Sequence, residues 1–341
     1  MGEVVKTAIQ PVCRYWESRD GFIECLLCPW HCKIRPGATG RCRVRYNEDG
    51  TLRPLTYGKV TAVNLDPIEK KPLYHFHPGE SILSIGSWGC NLACVFCQNW
   101  TISQQRAPTE DLSPEQCVRL AEEMASRGNF GISYTYNEPM IWFEYVYDTA
   151  KLAHERGLKN VLVTNGIIEL EPLEELLPYI DAMNVDIKSM DDEFYRRLCK
   201  GAGGGDVARR TVEVAFSRGV HVEITNLVIT GENDSDEHFQ ALAEWAASVS
   251  PKLPVHVSRY FPAYQFSAPP TPVARLKRAV EILREKLHFV YVGNLDMRGA
   301  SDTVCPNCGN VAIERHGYFT RIVGLDDGRC SKCGEDLNIV R

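Results

Sequence analysis

The sequence predicts an α/β protein built around a parallel β-sheet. Between residues 81 and 295, short runs rich in β-branched and aromatic residues alternate with longer runs of helical periodicity. Most of the cysteines fall into three groups: one before this alternating region, one at its first predicted strand and one after it. Periodicity alone does not distinguish an open, doubly wound sheet from a full or partial barrel, so both architectures remain open at this point.

Seven runs fit buried strands, at 81–88, 130–136, 160–166, 182–188, 221–229, 254–260 and 289–295. Helices are predicted between them, among others at 113–128, 141–157 and 236–250. The second of these helices begins after Pro139 and ends at Gly157, which are typical start and stop signals. The glycine-rich stretch KGAGGGD, at 200–206, predicts a mobile surface loop, with a lid over the site as the weaker alternative.

The composition narrows the class of protein. The formal net charge is −6 and no strongly basic balance exists, so we expect no nucleic-acid partner. The sequence shows neither an apolar signal region nor 18 consecutive apolar residues, so we expect a cytoplasmic protein without a membrane partner. In that reducing compartment, 14 cysteines indicate metal or redox ligands rather than disulfides.

The last cysteine group consists of two C-x2-C pairs, each followed by glycine. These are Cys305 with Cys308 and Cys330 with Cys333, separated by a β-rich stretch. Four thiolates in this arrangement predict a structural zinc ribbon, and a rubredoxin-like iron is the weaker alternative.

The first group has the spacing C-x2-C-x3-C-x9-C and comprises Cys25, Cys28, Cys32 and Cys42. Four thiolates here suit either zinc in a small closed module, which we favour slightly, or an auxiliary [4Fe–4S] cluster. Three further cysteines stand outside the groups. Cys117 and Cys199 are expected to pack in the core, and Cys13 stands alone.

The middle group, in GSWGCNLACVFCQNW, has three members: Cys90, Cys94 and Cys97. An all-thiolate zinc site is usually closed by a fourth cysteine. A cubane iron–sulfur cluster held by three thiolates instead leaves one iron open for a substrate or cofactor. The missing fourth ligand therefore favours a cluster that binds a further molecule.

Polar side chains stand at the carboxyl ends of the predicted strands, where α/β proteins bind ligands. Each alone is explained by a turn or a helix cap, but their recurrence at successive strands indicates a shared pocket. Four basic residues, Lys70, Lys71, His75 and His77, precede the first of the seven strands. We expect them to lie in a solvated connecting loop, with substrate binding as the alternative. The strand-end residues are Tyr136, Asn137, Glu138, Thr164, Asn165, Asp186, Lys188, Thr225, Asn226, His256, Ser258 and Arg259.

The C-x3-C-x2-C motif, with Phe96 before its last cysteine, resembles the signature of radical S-adenosylmethionine (SAM) enzymes. Within that superfamily, GCNLACVFCQNW is similar to the branch that contains pyruvate formate-lyase activating enzymes. The SYTYNEP stretch and the N-terminal cysteines resemble the radical SAM member of the AmmeMemoRadiSam system, which co-occurs with AMMECR-like and Memo-like proteins. This closer resemblance extends over nearly the whole chain. The resemblance implies a partial (β/α)6 barrel of the TIM type.

The resemblance also implies site roles. Cys90, Cys94 and Cys97 would hold a [4Fe–4S] cluster whose open iron binds SAM. Glu138 would accept hydrogen bonds from the SAM amino group, although Tyr136 and Asn137 replace the two glycines of the family motif. The implied SAM contacts are Phe96, Asn137, Glu138, Asn165, Asp186, Lys188, His256 and Arg259, of which Asp186 and Lys188 match the D-x-K motif of the activating enzymes.

We therefore expect an N-terminal Cys-rich module at 1–80, a radical SAM barrel at 81–298 and a zinc ribbon at 299–341. The expected activity is reductive cleavage of SAM to a 5′-deoxyadenosyl radical that abstracts hydrogen from a protein or a small molecule. An electron donor of the ferredoxin or flavodoxin type is implied, with AMMECR-like and Memo-like proteins as further candidate partners. The alternative from another class is a non-catalytic iron–sulfur electron carrier or a zinc-dependent binding protein.

Overall fold

A computed structural model describes residues 11–297 and 299–341. The chain begins with a small antiparallel sheet of β1 (Trp16–Arg19), β2 (Phe22–Cys25) and β3 (Lys33–Ile34). A hairpin of β4 (Arg45–Glu48) and β5 (Thr51–Pro54) follows. Next come the short strand β6 (Lys59–Val60), the longer β7 (Ala62–Pro67) and a 3-10 helix (Ile68–Lys70).

The central region alternates strands and helices, as the hydrophobic pattern predicts. Its strands are β8 (Ser81–Gly86), β9 (Glu110–Asp111), β10 (Asn129–Tyr134), β11 (Lys159–Thr164), β12 (Ala182–Asp186), β13 (His221–Val228), β14 (Val255–Arg259) and β15 (Val290–Gly293). Its helices are α1 (Trp100–Ser103), α2 (Pro114–Glu123), α3 (Phe143–Glu155), α4 (Leu170–Leu176), α5 (Asp192–Phe194), α6 (Gly204–Ser217), α7 (Asp236–Val249) and α8 (Val273–Arg284). Short 3-10 segments lie at Met124–Arg127, Pro139–Trp142 and Leu177–Tyr179, and a π-helix spans Tyr195–Cys199.

The main sheet has the strand order β15-β14-β13-β12-β11-β10-β8-β7 in the described residues. Strand β8 and the strands from β10 to β15 are mutually parallel, and β7 pairs antiparallel with β8. Strands β7 and β15 lie at opposite edges of this sheet and, within the described ranges, do not pair with each other. The sheet is therefore an open, partial barrel of the predicted class. All seven strands predicted between 81 and 295 are present.

The C-terminal region is a small β-domain. It contains β16 (Thr303–Val304), β17 (Val311–His316), β18 (Phe319–Ile322), β19 (Leu325–Asp326) and β20 (Arg329–Cys330). The hairpin of β17 and β18 turns at Gly317 and Tyr318. In the described part of the chain, no helix combines the length and apolarity that crossing a membrane requires.

The loop prediction for KGAGGGD is wrong in its second half. Gly203 caps α6 with a left-handed backbone (φ +79), and Gly204 and Gly205 form the first turn of this helix. The absence of side chains lets this turn pack closely, since an added Cβ at Gly204 would lie 2.4 Å from an Asp192 carboxylate oxygen. Periodicity did not reveal this helical start because glycines carry no hydrophobic pattern.

The prediction of a solvated loop for the segment after β7 is also wrong for two of its residues. Lys71 and His75 are buried. Residues 71–77 cross the amino-terminal end of the barrel, where Glu223 accepts hydrogen bonds from the backbone N–H groups of Tyr74 (3.0 Å) and His75 (2.7 Å). The segment thus forms the floor of the barrel.

Candidate active site

A cavity of about 640 Å³ opens inside the barrel at the carboxyl ends of the parallel strands. The loop after β8 lines it with Cys90, Cys94 and Cys97. The ends of β10, β11 and β12 contribute further polar side chains, so the structure brings the middle cysteine group and the predicted strand-end residues together.

The cysteine loop is held by backbone contacts to neighbouring segments. The N–H groups of Ala93 and Val95 donate to the carbonyls of Cys199 and Leu198 in the π-helix, each at 2.9 Å. Gly89 has a left-handed backbone, and an added Cβ there would lie 2.7 Å from the carbonyl oxygen of Cys42. The loop is therefore packed directly against the N-terminal module.

Hydrogen-bond donors surround the three thiols. The Leu92 N–H group lies 3.3 Å from Cys90 Sγ and the Asn165 amide nitrogen 3.6 Å from it. The hydroxyl of Ser103 lies 3.1 Å from Cys97 Sγ. Donors of this kind stabilise thiolate ligands and tune the potential of an iron–sulfur cluster, so the residues present fit a cluster held by three cysteines.

Burial and neighbouring groups set the thiol pKa values. Burial raises the pKa of Cys90 and of Cys97. The adjacent Cys199 lowers the pKa of Cys94 by hydrogen bonding, against the effect of burial. Cys199 is buried, as predicted, but it also contacts a member of the cysteine group.

Glu138 follows β10 and is buried within a set of donors. Its carboxylate accepts hydrogen bonds from the Met140 N–H group (2.9 Å), the Thr164 hydroxyl (2.7 Å) and the Asn165 N–H group (2.8 Å). Burial nevertheless raises the pKa of Glu138 to about 7. This carboxyl group links β10 to the end of β11 and is positioned to accept hydrogen bonds from a cationic ligand group.

Asp186 and Lys188 form an ion pair at the end of β12, with Lys188 Nζ 3.0 Å from Asp186 Oδ2. Burial opposes the charge of Lys188, but the charges of Asp186 and of the nearby thiols outweigh it and raise the pKa of Lys188. Lys188 thus remains a cation beside the cysteine loop.

The cavity is lined by six of the eight residues to which the resemblance assigns SAM contacts. Asn137 also holds the backbone just before Cys90, because its side chain accepts a hydrogen bond from the Ser87 N–H group (2.9 Å) and donates one to the Gly89 carbonyl (3.1 Å). The six are Phe96, Asn137, Glu138, Asn165, Asp186 and Lys188.

The structure does not bring the other two, His256 and Arg259, to the cavity wall. His256 precedes the cavity-lining Ser258 by two residues on β14, so it faces the same interior one layer deeper. There its Nε2 lies 2.7 Å from buried Glu223. Arg259 Nε instead donates to the Thr271 carbonyl at 2.9 Å. Sequence reasoning could place these residues on the right strand but not at the right depth.

Ser103, Asn99 and Tyr318 are among the residues near the cavity that went unpredicted. Ser103 contacts Cys97, Asn99 donates to the Tyr136 carbonyl at 2.8 Å, and Tyr318 reaches the cavity from the C-terminal domain. Ser103 and Asn99 lie within six residues of the cysteine motif, and that proximity was an available signal. Tyr318 had no such signal, since it lies more than 200 residues away in the chain.

The C-terminal thiols come together, as predicted. Cys305 Sγ lies 3.5 Å from Cys333 Sγ, and Cys308 Sγ lies 3.6 Å from Cys330 Sγ. All four sulfur atoms lie within 4.8 Å of one another, which fits a tetrahedral metal site. Among the described residues, no three thiols of the N-terminal group, or of the middle group, share this close spacing.

A family model described as the radical SAM superfamily matches residues 85–246. These residues carry the cysteine loop and the ends of β10 to β12. The chain therefore contains a radical SAM domain. Members of this superfamily among its relatives are enzymes, and we assign the chain as one of them.

The uncharacterized protein MJ0808 of Methanocaldococcus jannaschii is 41% identical over 335 residues, covering 96% of this chain and 98% of that protein. The pyruvate formate-lyase 1-activating enzyme of Escherichia coli is 30% identical over 166 residues, covering 46% of this chain and 65% of the enzyme. The match thus spans slightly less than two thirds of that enzyme's length.

A solved structure of Streptococcus suis SuiB bound to S-adenosylmethionine superposes with a TM-score of 0.51 at 17% sequence identity. The superposition covers 67% of this chain and 53% of SuiB. At this identity, the similarity supports the radical SAM fold alone.

Proposed function

We propose that the chain binds a [4Fe–4S] cluster through Cys90, Cys94 and Cys97 and uses it to cleave SAM reductively to a 5′-deoxyadenosyl radical. The observation that carries this proposal is the meeting of three donor-surrounded thiols with Glu138, Asp186 and Lys188 in one cavity. When bound, the cluster supplies the electron for this cleavage. An electron carrier has no use for such a ligand cavity beside its cluster.

The residues around the thiols bind and orient the SAM molecule. Glu138 accepts hydrogen bonds from its amino group, since this carboxylate is fixed by donors from β10 and β11. Asp186 and Lys188 contact its ribose and methionine portions. Phe96 is buried and packs near Phe194 and Phe266, which excludes water from the loop.

The radical abstracts hydrogen from a substrate protein or a small molecule. The similarity to pyruvate formate-lyase activating enzymes supports a protein substrate, because those relatives act on another protein according to their names. We further propose a ferredoxin-type or flavodoxin-type electron donor, with AMMECR-like and Memo-like proteins as candidate partners in the cell.

The test is an anaerobic reaction of reconstituted, reduced protein with SAM. We expect 5′-deoxyadenosine and methionine as products, and a change in the cluster's EPR spectrum when SAM is added. The Cys90→Ala/Cys94→Ala/Cys97→Ala variant is the control and should form neither product. If the wild-type protein forms no 5′-deoxyadenosine and SAM leaves the EPR spectrum unchanged, the chain is an electron carrier or a binding protein instead.

For the C-terminal thiols we propose a structural zinc ion, because their spacing matches tetrahedral thiolate coordination. For the N-terminal group the sequence alone slightly favours zinc, but we propose an auxiliary [4Fe–4S] cluster instead and keep zinc as the alternative. Its thiols are more widely spaced than the C-terminal set, as are those of the middle group. In addition, the Arg41 N–H group lies 3.3 Å from Cys32 Sγ, and the Trp30 indole donates to the Asn91 carbonyl beside Cys90 at 2.8 Å.

Iron, sulfide and zinc analysis of the Cys90→Ala/Cys94→Ala/Cys97→Ala variant distinguishes a [4Fe–4S] cluster from zinc at the N-terminal group. We expect a residual [4Fe–4S] cluster and one zinc ion per chain. A Cys13→Ala variant in the same background is the matched control, since this buried thiol lies near Cys25 and Cys42 but outside the predicted set. Two zinc ions and no iron would refute the auxiliary cluster. Loss of the cluster in the Cys13→Ala control would show that the ligand set is wrong.

A further inference from the structure

The cavity has a second end at the open side of the barrel. Lys70 and Lys71 line it from the segment after the edge strand β7, and Asn294 lines it from the opposite edge strand β15. Tyr318, at the tip of the β17–β18 hairpin, lines the same cavity. None of these residues belongs to the group of thiols and strand-end side chains assigned above to SAM.

A compact polar cluster forms this wall. Asp66 accepts hydrogen bonds from Lys71 Nζ (2.6 Å), the Tyr136 hydroxyl (2.5 Å) and Lys70 Nζ (2.9 Å). Lys71 is buried, and its ammonium group lies 4.8 Å from the centre of the Tyr136 ring. Burial opposes ionisation of Asp66, but its three donors outweigh that effect and lower the pKa of Asp66.

The charges in this cluster do not balance. Two ammonium groups share one carboxylate, and the neighbouring Glu69 is turned away toward the Gly79 N–H group (2.8 Å) and the Thr320 hydroxyl (2.7 Å). Glu138 and Asp186, the acidic residues on the cavity wall, belong to the SAM end, where Asp186 is paired with Lys188. One positive charge is therefore surplus at the open side.

Lys70 carries this surplus charge, because its side chain is 42% exposed whereas that of Lys71 is 1% exposed. Lys71 and Tyr136 satisfy Asp66 without it. An ion pair as exposed as Lys70 with Asp66 contributes little stability, so Lys70 can turn to a ligand at low cost.

We propose that the open side of the barrel binds an anionic group of the substrate, a carboxylate or a phosphate, through Lys70, with Lys71 and Asp66 as positioning residues. This inference rests on the proposed function, since it assigns the substrate class of the same cavity. The partial barrel leaves this side unpaired, and Tyr318 from the C-terminal domain completes its wall.

The experiment is calorimetric titration of the reconstituted protein, with and without SAM and without reductant, using inorganic phosphate and, separately, succinate. We expect one saturable site for at least one anion. Lys70→Met should weaken its affinity about tenfold, the loss expected for one hydrogen bond to a charged group. The anion with the larger loss identifies phosphate or carboxylate as the recognised group.

Lys59→Met is the matched control, because Lys59 is 37% exposed, is paired with one carboxylate at Asp111 and lies outside the cavity wall. The anion affinity of the Lys59→Met variant should equal that of the wild-type protein. Equal affinities in the wild-type and Lys70→Met proteins, or no saturable binding of either anion, would overturn the proposal. Because no reductant is present, binding is scored independently of SAM cleavage, so failure of either proposal is recognised without the other.

Discussion

Glu138 is a buried carboxyl group whose protonation is linked to folding. Its pKa in the folded protein is about 7, compared with 4.5 for a free glutamic acid. Between these values, the unfolded chain loses the proton while the folded chain keeps it. The contribution of Glu138 to the stability of the folded state is therefore fully present at low pH and is lost as the pH rises from 4.5 to about 7.

We expect this loss to be about 3 kcal/mol in the SAM-free protein. Glu138→Gln cannot ionise, so its stability relative to the wild-type protein should rise by that amount across the same interval. Anaerobic chemical unfolding at several pH values gives both curves. If the two proteins show parallel curves, the environment of Glu138 does not hold its proton as the structure indicates.

Strand β10 approaches β11 closely at Gly131. An added Cβ at this residue would lie 2.1 Å from the Lys159 carbonyl oxygen, a contact with backbone that no side-chain rotation relieves. We expect Gly131→Ala to destabilise the protein by at least about 2 kcal/mol, because the clash with the Lys159 carbonyl forces β10 and β11 apart. Denaturant midpoints measure the effect.

Gly219→Ala is the control for this substitution. It lies in a turn with φ +81 and no atom within 4 Å of the added Cβ, so its cost should stay near about 1 kcal/mol. A loss no larger for Gly131→Ala than for Gly219→Ala would mean that the two strands can move apart freely.

At this scale the sequence predicted the fold well. Strands such as β11 and β12 are short apolar runs bounded by polar residues, and this local pattern is sufficient to identify them. The depth of His256 inside the barrel and the burial of Lys71 depend on the tertiary packing around each side chain. The contact of Tyr318 with the cavity depends on how the C-terminal domain packs on the barrel, which no local pattern records.

The whole molecule is joined by a buried set of contacts between the C-terminal domain and the barrel floor. The Arg315 guanidinium donates to the carbonyls of Tyr74 (2.6 Å) and Ser301 (3.0 Å) and lies 4.4 Å from the centre of the Tyr74 ring. It also lies 3.8 Å from the buried carboxylate of Glu69. The backbone of Val340 adds a hydrogen bond to the floor segment at His75 (2.8 Å).

We therefore expect the floor segment and the C-terminal domain to open together. Arg315→Met should lower the free energy of this opening by about 3 kcal/mol, since it leaves Glu69 buried without its cation. A loss of this size corresponds to roughly a hundredfold faster amide hydrogen exchange. Hydrogen–deuterium exchange should rise in residues 68–77 and in 303–340, while β10 to β12 keep their protection. Arg321→Met is the control, because Arg321 pairs with Glu314 on the exposed face of the same hairpin and should leave exchange unchanged. A rise confined to 303–340 would contradict the coupling and would make the floor segment a stable part of the barrel on its own.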